Sequence, residues 1–354
     1  MTTKGQSRGA ATLFMSLIIL LSLTVIAVTG GKSARMEQMV SANEYRALEA
    51  FHSAEAGLEY GIRWLATITP TWVAGSCNQN MTLTAPALTA SNGDSYNQTV
   101  SFCRNTATKD YVRVRATSVA VQDPTITASV QQYVRPNTIL SPGFALNTPP
   151  LVVNGCVNGI TGTPDVYAGG VGSLGLATSQ TNTPACIDTG HLDLHGGTVL
   201  GNAFNTTAWT YLFGSITKAQ FQAMAAAEAA AEAAGQMLRS ERHYFWITDT
   251  NNWHENVGTP THAVVLAFAT ASSCAKTNGG VTIYGVVYYE DPSCGNQGWG
   301  GADIFGTASF EGNLTQFTAN ADVNKFTLAG GGKGMDETLP YIGAPKILGT
   351  WKDF

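Results

Sequence analysis

Twenty consecutive residues without a charge, Ala10 to Thr29, constrain this chain more than any other feature. At about 1.5 Å per residue, a helix of that length spans ~30 Å, the thickness of a bilayer's hydrocarbon core. A basic leader with Lys4 and Arg8 precedes the run and ends at Gly9, while Lys32 and Arg35 follow it. Charge and hydropathy therefore both change at Gly9. A conventional secretory signal has a shorter apolar region and then a small-x-small cleavage site. Val28-Thr29-Gly30 matches that pattern poorly. The flanking positive charges are nearly balanced and barely favour a cytoplasmic N-terminus.

Beyond the run the pattern stays helical but becomes amphipathic. Met36, Met39, Val40, Leu48, Phe51, Leu58, Ile62 and Leu65 recur at spacings near three and four, leaving Glu37, Glu44, Glu49, Glu55 and Arg63 for the opposite face. Pro70 stops the helix. A single helix from about Ala11 to Leu65 would be ~80 Å long. Its outer half needs a partner, because an apolar stripe must be buried against something. The simpler alternative is a signal anchor joined to a short linker helix.

These residues resemble a known family. Arg8-Gly9-Ala10-Ala11-Thr12-Leu13, the apolar run, Met36-Glu37-Gln38-Met39 and above all Ala47 to Gly61 (ALEAFHSAEAGLEYG) look like the N-terminal region of PilX-type minor pilins of type IV pili. The resemblance is specific over about residues 5–65 and loose afterwards. It implies cleavage by prepilin peptidase between Gly9 and Ala10, with Ala10 becoming the N-methylated terminus. Major pilins carry a glutamate at the fifth mature position, neutralised by the terminal amine of a neighbouring subunit. Here that position is Phe14, and a carboxylate in lipid is costly without such a partner. PilX-type pilins and the tip pseudopilin of type II secretion share this lack, which implies a place at or near the tip.

The composition suits an exported protein. Charged residues make up 12% of the chain, and a net charge of −5 argues against non-specific nucleic-acid binding. The six cysteines, at 77, 103, 156, 186, 274 and 294, form no CxxC or Cys/His cluster suited to zinc. An even count outside the membrane points to disulfides, with about fifteen pairings open. Neighbouring pairs are expected, Cys77–Cys103, Cys156–Cys186 and Cys274–Cys294, each stapling a local loop-rich segment.

After Pro70 the period changes. Tyr96 to Cys103, Tyr111 to Val119 and Thr125 to Val134 each alternate, with Val112 and Val114 set against Arg113 and Arg115. Alternation between turn signals predicts half-buried antiparallel strands. In the pilin reading this sheet lies on the outer half of the helix. From Arg135-Pro136 onward the texture differs again. Short apolar stretches separated by Gly and Asn (LVVNG, VYAGG, LDLHGG, TVLGNAF) return late as HAVVLAFA, VTIYGVVYYE, ADIFGTASFEGNLTQF and ANADVNKFTLAG. Such corners suit a β-solenoid, also called a β-helix, and repetitive β regions attached to PilX-type N-termini add to that by resemblance. The period is not clean, so a β-sandwich stays open. One helix interrupts the region at about 217–239. Thr217 with Gln220 forms a capping box ahead of an Ala-rich stretch. Its thin stripe of Phe221, Met224 and Leu238 suits covering a strand edge or flank.

Several local patterns have weak functional content. Gly170, Gly172 and Gly175 fit a dinucleotide fingerprint, but turn-rich sequence rather than a helix follows. Gly5-Gln6-Ser7-Arg8-Gly9 fits a hydrolase elbow, but lies in the leader. His191-Leu192-Asp193-Leu194-His195 would put His191, Asp193 and His195 on one face of a strand, a weak metal site or simply a solvated face over inward Leu192 and Leu194. Asn320, Asp322 and Asn324 pose the same question for calcium with less support. Parallel β-helices host polysaccharide lyases, which use clustered acids with calcium and a nearby base. Here Asp165, Asp188, Asp193, Glu290, Asp291, Asp303 and Glu311 are scattered, so no catalytic residue, cofactor or enzymatic activity is expected. Trp253, Tyr288, Tyr289, Trp299 and Phe305 are an aromatic surface for a glycan or protein if exposed, and ordinary core residues if not.

The expectation is thus an α+β chain: a leader at 1–9, a pilin helix at 10–65 (transmembrane about 10–31), an antiparallel pilin-type sheet at 66–137 and a β-rich domain at 138–354. The implied role is a minor pilin acting in pilus assembly or initiation, with adhesion as a further role. Its implied partners are major and minor pilins, a tip adhesin, prepilin peptidase and the inner-membrane assembly platform. The implied location is the inner membrane, with the C-terminal part periplasmic, and then the extracellular pilus. The alternatives are a type II secretion minor pseudopilin and a membrane-anchored β-helix protein that binds or cleaves glycans.

Overall fold

The computed structural model describes residues 7–67, 72–75, 78–90, 93–104, 111–141, 144, 148–158, 160, 163–188, 190–249, 252–270, 274–277, 279–296, 301–316, 321–326 and 335–354. A long N-terminal apolar helix is followed by a large β-rich part with a few short helices. The chain divides into two compact units: Met1–Ile62 with Val73–Val134 and Lys346–Phe354, and Arg63–Trp72 with Arg135–Pro345.

The first unit is built on one continuous helix, α1 (Ser7–Leu65), and an antiparallel sheet. The sheet runs β1 (Val73–Gly75), β2 (Asn78–Thr89), β3 (Ser95–Arg104), β4 (Val112–Ala120) and β5 (Thr127–Val134) in chain order. A last strand, β19 (Lys352–Asp353), pairs with β5. Strands β3 to β5 lie where alternation places them, and β4 keeps Val112 and Val114 buried with Arg113 and Arg115 outward. Strand β2 escapes a sequence reading because Pro86 interrupts it, and its register shifts between Ala85 and Leu88. The distal domain expected at 138–354 ends short of that limit. Residues Lys346–Phe354 group with the first unit, since their backbone pairs along β5.

The face that α1 buries differs from the expected stripe. Met36, Met39, Val40 and Leu48 are exposed. The buried residues from Ala50 to Ile62 are mostly small: Ala50, Ser53, Ala54, Gly57 and Gly61, with Leu58 and Ile62. Closeness of approach explains this. A Cβ on Gly61 would lie 2.5 Å from Val100 Cγ1, and one on Gly57 would lie 2.9 Å from Gln98 Oε1. Large side chains would hold helix and sheet apart. Inside the contact, Gln98 Nε2 donates to Ser53 Oγ at 3.0 Å, so the buried amide is partnered.

The second unit is organised by parallel pairing. Its strands are β6 (Asn137–Thr138), β7 (Leu151–Val153), β8 (Asp165–Tyr167), β9 (Leu174–Thr178), β10 (Thr198–Leu200), β11 (Tyr244–Ile247), β12 (Asn252–Trp253), β13 (Val264–Phe268), β14 (Lys276–Thr277), β15 (Thr282–Tyr289), β16 (Asp303–Phe310), β17 (Asp322–Asn324) and β18 (Tyr341–Gly343). The main path is β10-β9-β7-β16-β15-β13-β11, all parallel, with β17 and β8 continuing from β16. Strands β12 and β14 form a parallel pair, β6 and β18 an antiparallel one. From β11 to β16 successive rungs share one interval, with Tyr244 beside Val265, Val264 beside Gly285 and Thr282 beside Asp303, whereas β7–β9, β9–β10 and β16–β17 are spaced differently.

Both faces of this sheet are covered, so its strands read as unbroken apolar runs rather than alternations. Along β13, Val264, Leu266 and Phe268 enter one core, whereas Val265 and Ala267 enter another. The second core is closed by α2 (Ala208–Phe213) and α3 (Lys218–Ala233) through Trp209, Leu212, Phe213, Phe221 and Ala225. The Thr217–Gln220 capping box starts α3 as expected: Gln220 N donates to Thr217 Oγ1 at 3.2 Å and Thr217 N to Gln220 Oε1 at 2.9 Å. The helix ends earlier than expected, and Leu238 is 66% exposed outside it. Glu228 of α3 closes the end strand, its carboxylate accepting the His243 and Tyr244 amides at 2.9 and 2.7 Å. Glu311 caps α2, accepting from Ala208 N, Trp209 N and the Tyr288 hydroxyl.

The disulfides Cys156–Cys186 and Cys274–Cys294 staple this unit in the neighbouring pairing expected. Cys77 lies outside the described residues. Gly285 and Gly306 stand side by side on β15 and β16 with φ of 143° and 157°. A Cβ at Gly306 would meet the Gly285 carbonyl at 1.7 Å, so only glycine fits there.

This packing makes two predictions. Gly61→Leu should lower stability by about 2 kcal/mol through overpacking against Val100. Gly30→Ala, with open space around it, should be neutral or slightly stabilising. Thermal unfolding of the detergent-solubilised chain, followed by near-UV circular dichroism, distinguishes the two. The second concerns His243, which is buried, donates from Nδ1 to Ala263 O at 2.8 Å and packs its ring at a tilt against His262. Burial, then the His262 charge, lowers its pKa from 6.5 to about 4. The folded state therefore binds fewer protons than the unfolded chain between those values, and stability falls as pH drops through that window, by up to about 3 kcal/mol. Burial pushes the Glu228 carboxyl up, with the opposite sign. His243→Asn should accordingly remove the acid loss between pH 6.5 and 4 in urea titrations while leaving the Glu228 contribution.

Candidate functional site

The first half of α1 is a surface that the chain leaves bare. Every side chain from Thr12 to Tyr45 is exposed, and one apolar stretch of this helix is long enough to cross a membrane. Four hydroxyls of its apolar run are satisfied inside the helix: Ser16 Oγ donates to Leu13 O, Ser22 Oγ to Ile18 O, Thr24 Oγ1 to Leu20 O and Thr29 Oγ1 to Val25 O. The segment therefore offers an apolar surface with few unmet polar groups, which is what a lipid-facing or helix-facing segment requires. Phe14 is on this surface, 65% exposed. Gly9 and Ala10 lie in the first turns of α1. Residues 1–6 of the leader, Gly5 among them, lie outside the described residues.

The His191–His195 segment is not a strand, and its three polar residues do not converge. His191 Nδ1 pairs with Asp188 Oδ2 at 3.0 Å, a hydrogen bond that holds the Asp188 carboxyl below its usual range. Asp193 makes a single parallel bridge to Asp165. The chain then turns at His195, whose φ is +47°. His195 Nε2 lies 2.8 Å from Asp165 Oδ1 and 3.8 Å from Asp193 Oδ2, and its ring stacks on Tyr167 at 4.0 Å. The grouping that forms is Asp165, Asp193 and His195, with donor atoms within 4.8 Å of one another. Asp165 stands 30 residues before His195, so local spacing could not reveal it. Leu192 is buried and Leu194 packs on the core, the inward pair expected of a solvated face.

Register extends this grouping into a row. Asp303 pairs with Asp322, Asp322 with Asp165, and Asp165 with Asp193. Like charges in register repel. Partial burial, then Asp165 and Asp303, raise the Asp322 carboxyl. Of the residues considered for calcium, Asn324 lies beside Phe305 and Tyr167 rather than in the row, and Asn320 lies outside the described residues.

The remaining sequence candidates have structural roles. Trp253, Tyr288 and Tyr289 are buried, Phe305 stacks on Tyr284, and Trp299 lies outside the described residues. Glu290 pairs with Lys218 at 2.9 Å, Asp291 accepts from Ser293, and Glu311 is the α2 cap. Strand β9, not a helix, follows Gly170 and Gly172. An open cleft of about 380 Å³ is lined by Asn154, Pro292, Ser293, Gly312, Asn313 and Thr315, none of them titratable.

Comparison with known proteins bears on the N-terminal helix. The crystal structure of the competence-associated pilin ComZ from Thermus thermophilus is 10% identical, over 87% of this chain and 97% of that chain, with a TM-score of 0.28. No curated protein matches the chain. The PilX N-terminal family model matches residues 8–59, so the bare half of α1 and its small-residue face as far as Leu58 are together similar to the N-terminal segment of PilX proteins.

Proposed function

We propose that this chain is a minor pilin, a structural subunit of a type IV pilus acting in pilus assembly or initiation. The observation that carries this reading is the division of α1. Its inner half is apolar and bare, while residues from Ala50 to Ile62 are fixed to a sheet by small side chains. One helix thus serves as a precursor's membrane anchor and, once drawn from lipid, as a rod to pack among other pilin helices. Prepilin peptidase cuts between Gly9 and Ala10 and Ala10 is methylated. The chain sits in the inner membrane with its β-rich part periplasmic, and then in the extracellular pilus.

Phe14 supports a place at or near the tip, because a subunit without a carboxylate at the fifth mature position has no charge for the amine of the next subunit to neutralise. We read the parallel stack of the second unit as a short β-solenoid. The even rung interval from β11 to β16 and the parallel ladders support this, whereas a sandwich pairs its strands antiparallel. Displayed outward, it serves contacts with other minor pilins, a tip adhesin or a surface. The role is structural, and no residue is assigned a catalytic part.

Deletion of the gene tests this against the alternatives. A minor pilin predicts loss of surface pili, restored by the full chain and accompanied by its recovery in the sheared pilus fraction. Loss of protein secretion with pili intact would instead mark a pseudopilin. Unchanged piliation and secretion would leave the membrane-anchored glycan-binding reading.

A further inference from the structure

The last nine residues run back along the first unit's sheet as a strap. Ile347 N donates to Tyr133 O at 2.8 Å, Lys352 and Asp353 pair with Gln131 and Val130, and Phe354 N donates to Ser129 O at 2.9 Å. Between these anchors the strap bulges through Leu348 and Gly349, the latter at a φ of +75°. Thr350 Oγ1 bridges the bulge, accepting from Tyr133 N and from Gln132 Nε2 while donating to Ile347 O. Outside the ladder, Lys346 pairs with Glu59 of α1, Trp351 meets the Phe51 ring edge-on and Phe354 lies under the Arg115 guanidinium.

Specific as these contacts are, little apolar surface is buried in making them. No residue from Lys346 to Phe354 is buried, and Leu348 is 94% exposed. The strand beneath is the opposite, with Val130, Gln131, Gln132 and Val134 buried. A segment held by backbone bonds and exposed side-chain contacts opens locally at a fraction of the free energy of global unfolding. When it leaves, the bonding groups of β5 become a bare sheet edge, which recruits another strand. The sequence that fits every position along that edge is the strap itself, and another copy of this chain carries it. Exchange of identical elements costs little, because the same bonds form again in trans.

We propose that the C-terminal strap is an exchangeable edge strand, and that the β5 edge of one copy is filled by residues 346–354 of a second. Two copies are thereby joined through their sheets.

The test uses the full chain in detergent micelles and a fluorescein-labelled synthetic peptide with the sequence of Lys346 to Phe354. Fluorescence anisotropy should show slow uptake, to at most one peptide per chain, at a rate that levels off with peptide concentration because departure of the resident strap limits it. A peptide carrying Gly349→Val, strained at positive φ, should be taken up at least about tenfold less well. Hydrogen exchange of the Ile347 and Phe354 amides should be at least about a hundredfold faster than that of β3 and β4. Absence of uptake at millimolar peptide overturns the proposal. So does equal uptake of the Gly349→Val peptide, or strap amides that exchange only with global unfolding.

Discussion

The first unit depends on how closely helix and sheet approach. Gly57 and Gly61 let α1 lie against Gln98 and Val100. Ala50, Ser53 and Ala54 continue the narrow face. A face of small residues buries less area per residue than one of leucines, but it brings two backbones near enough for the sheet side chains to pack around the helix. It also leaves the large apolar residues of the inner half uncommitted. A chain that had used Met36, Met39 and Leu48 to hold its sheet would leave less bare helix beyond the apolar run to offer neighbouring helices. The division of labour along α1 is therefore written in side-chain size as much as in hydropathy.

The second unit obeys a different constraint. Parallel strands expose backbone groups only at the two ends of the stack, and both faces need cover. The chain meets the first need at β11 with one glutamate, Glu228, that accepts two edge amides. It meets the second with α2 and α3, whose aromatic residues close over Val265, Ala267, Val286 and Tyr288. Glu311 ties helix to sheet, joining the N-terminus of α2 to the hydroxyl of Tyr288. Burial and this carboxylate push the Tyr288 phenol well above its usual range, so it stays a donor at any working pH.

Legibility in the sequence follows the range of each interaction. The membrane-length run, the alternating strands of the antiparallel sheet and the Thr217–Gln220 capping box are local patterns, and each lies where the sequence places it. The contact face of α1 eludes such a reading, because periodicity weighs large apolar residues whereas the sheet selects small ones. Joint conformational demands on Gly285 and Gly306 come from strands that meet only in the fold. The Asp165, Asp193 and His195 grouping is likewise invisible, because parallel rungs bring together residues 30 apart. The strap is invisible for a similar reason: Lys352 and Asp353 carry no strand pattern of their own and acquire one from β5. Processing at Gly9 and the absence of charge at Phe14 remain readings of the sequence.

The central claim is that the bare half of α1 begins a mature pilin. Mass spectrometry of the N-terminus, from cells with and without prepilin peptidase, tests it most directly. The account predicts an N-methylated Ala10 that appears only when the peptidase is present. An intact Met1 in both strains, or a cut near Gly30, would contradict it and leave a membrane-anchored or secreted β-rich protein in its place.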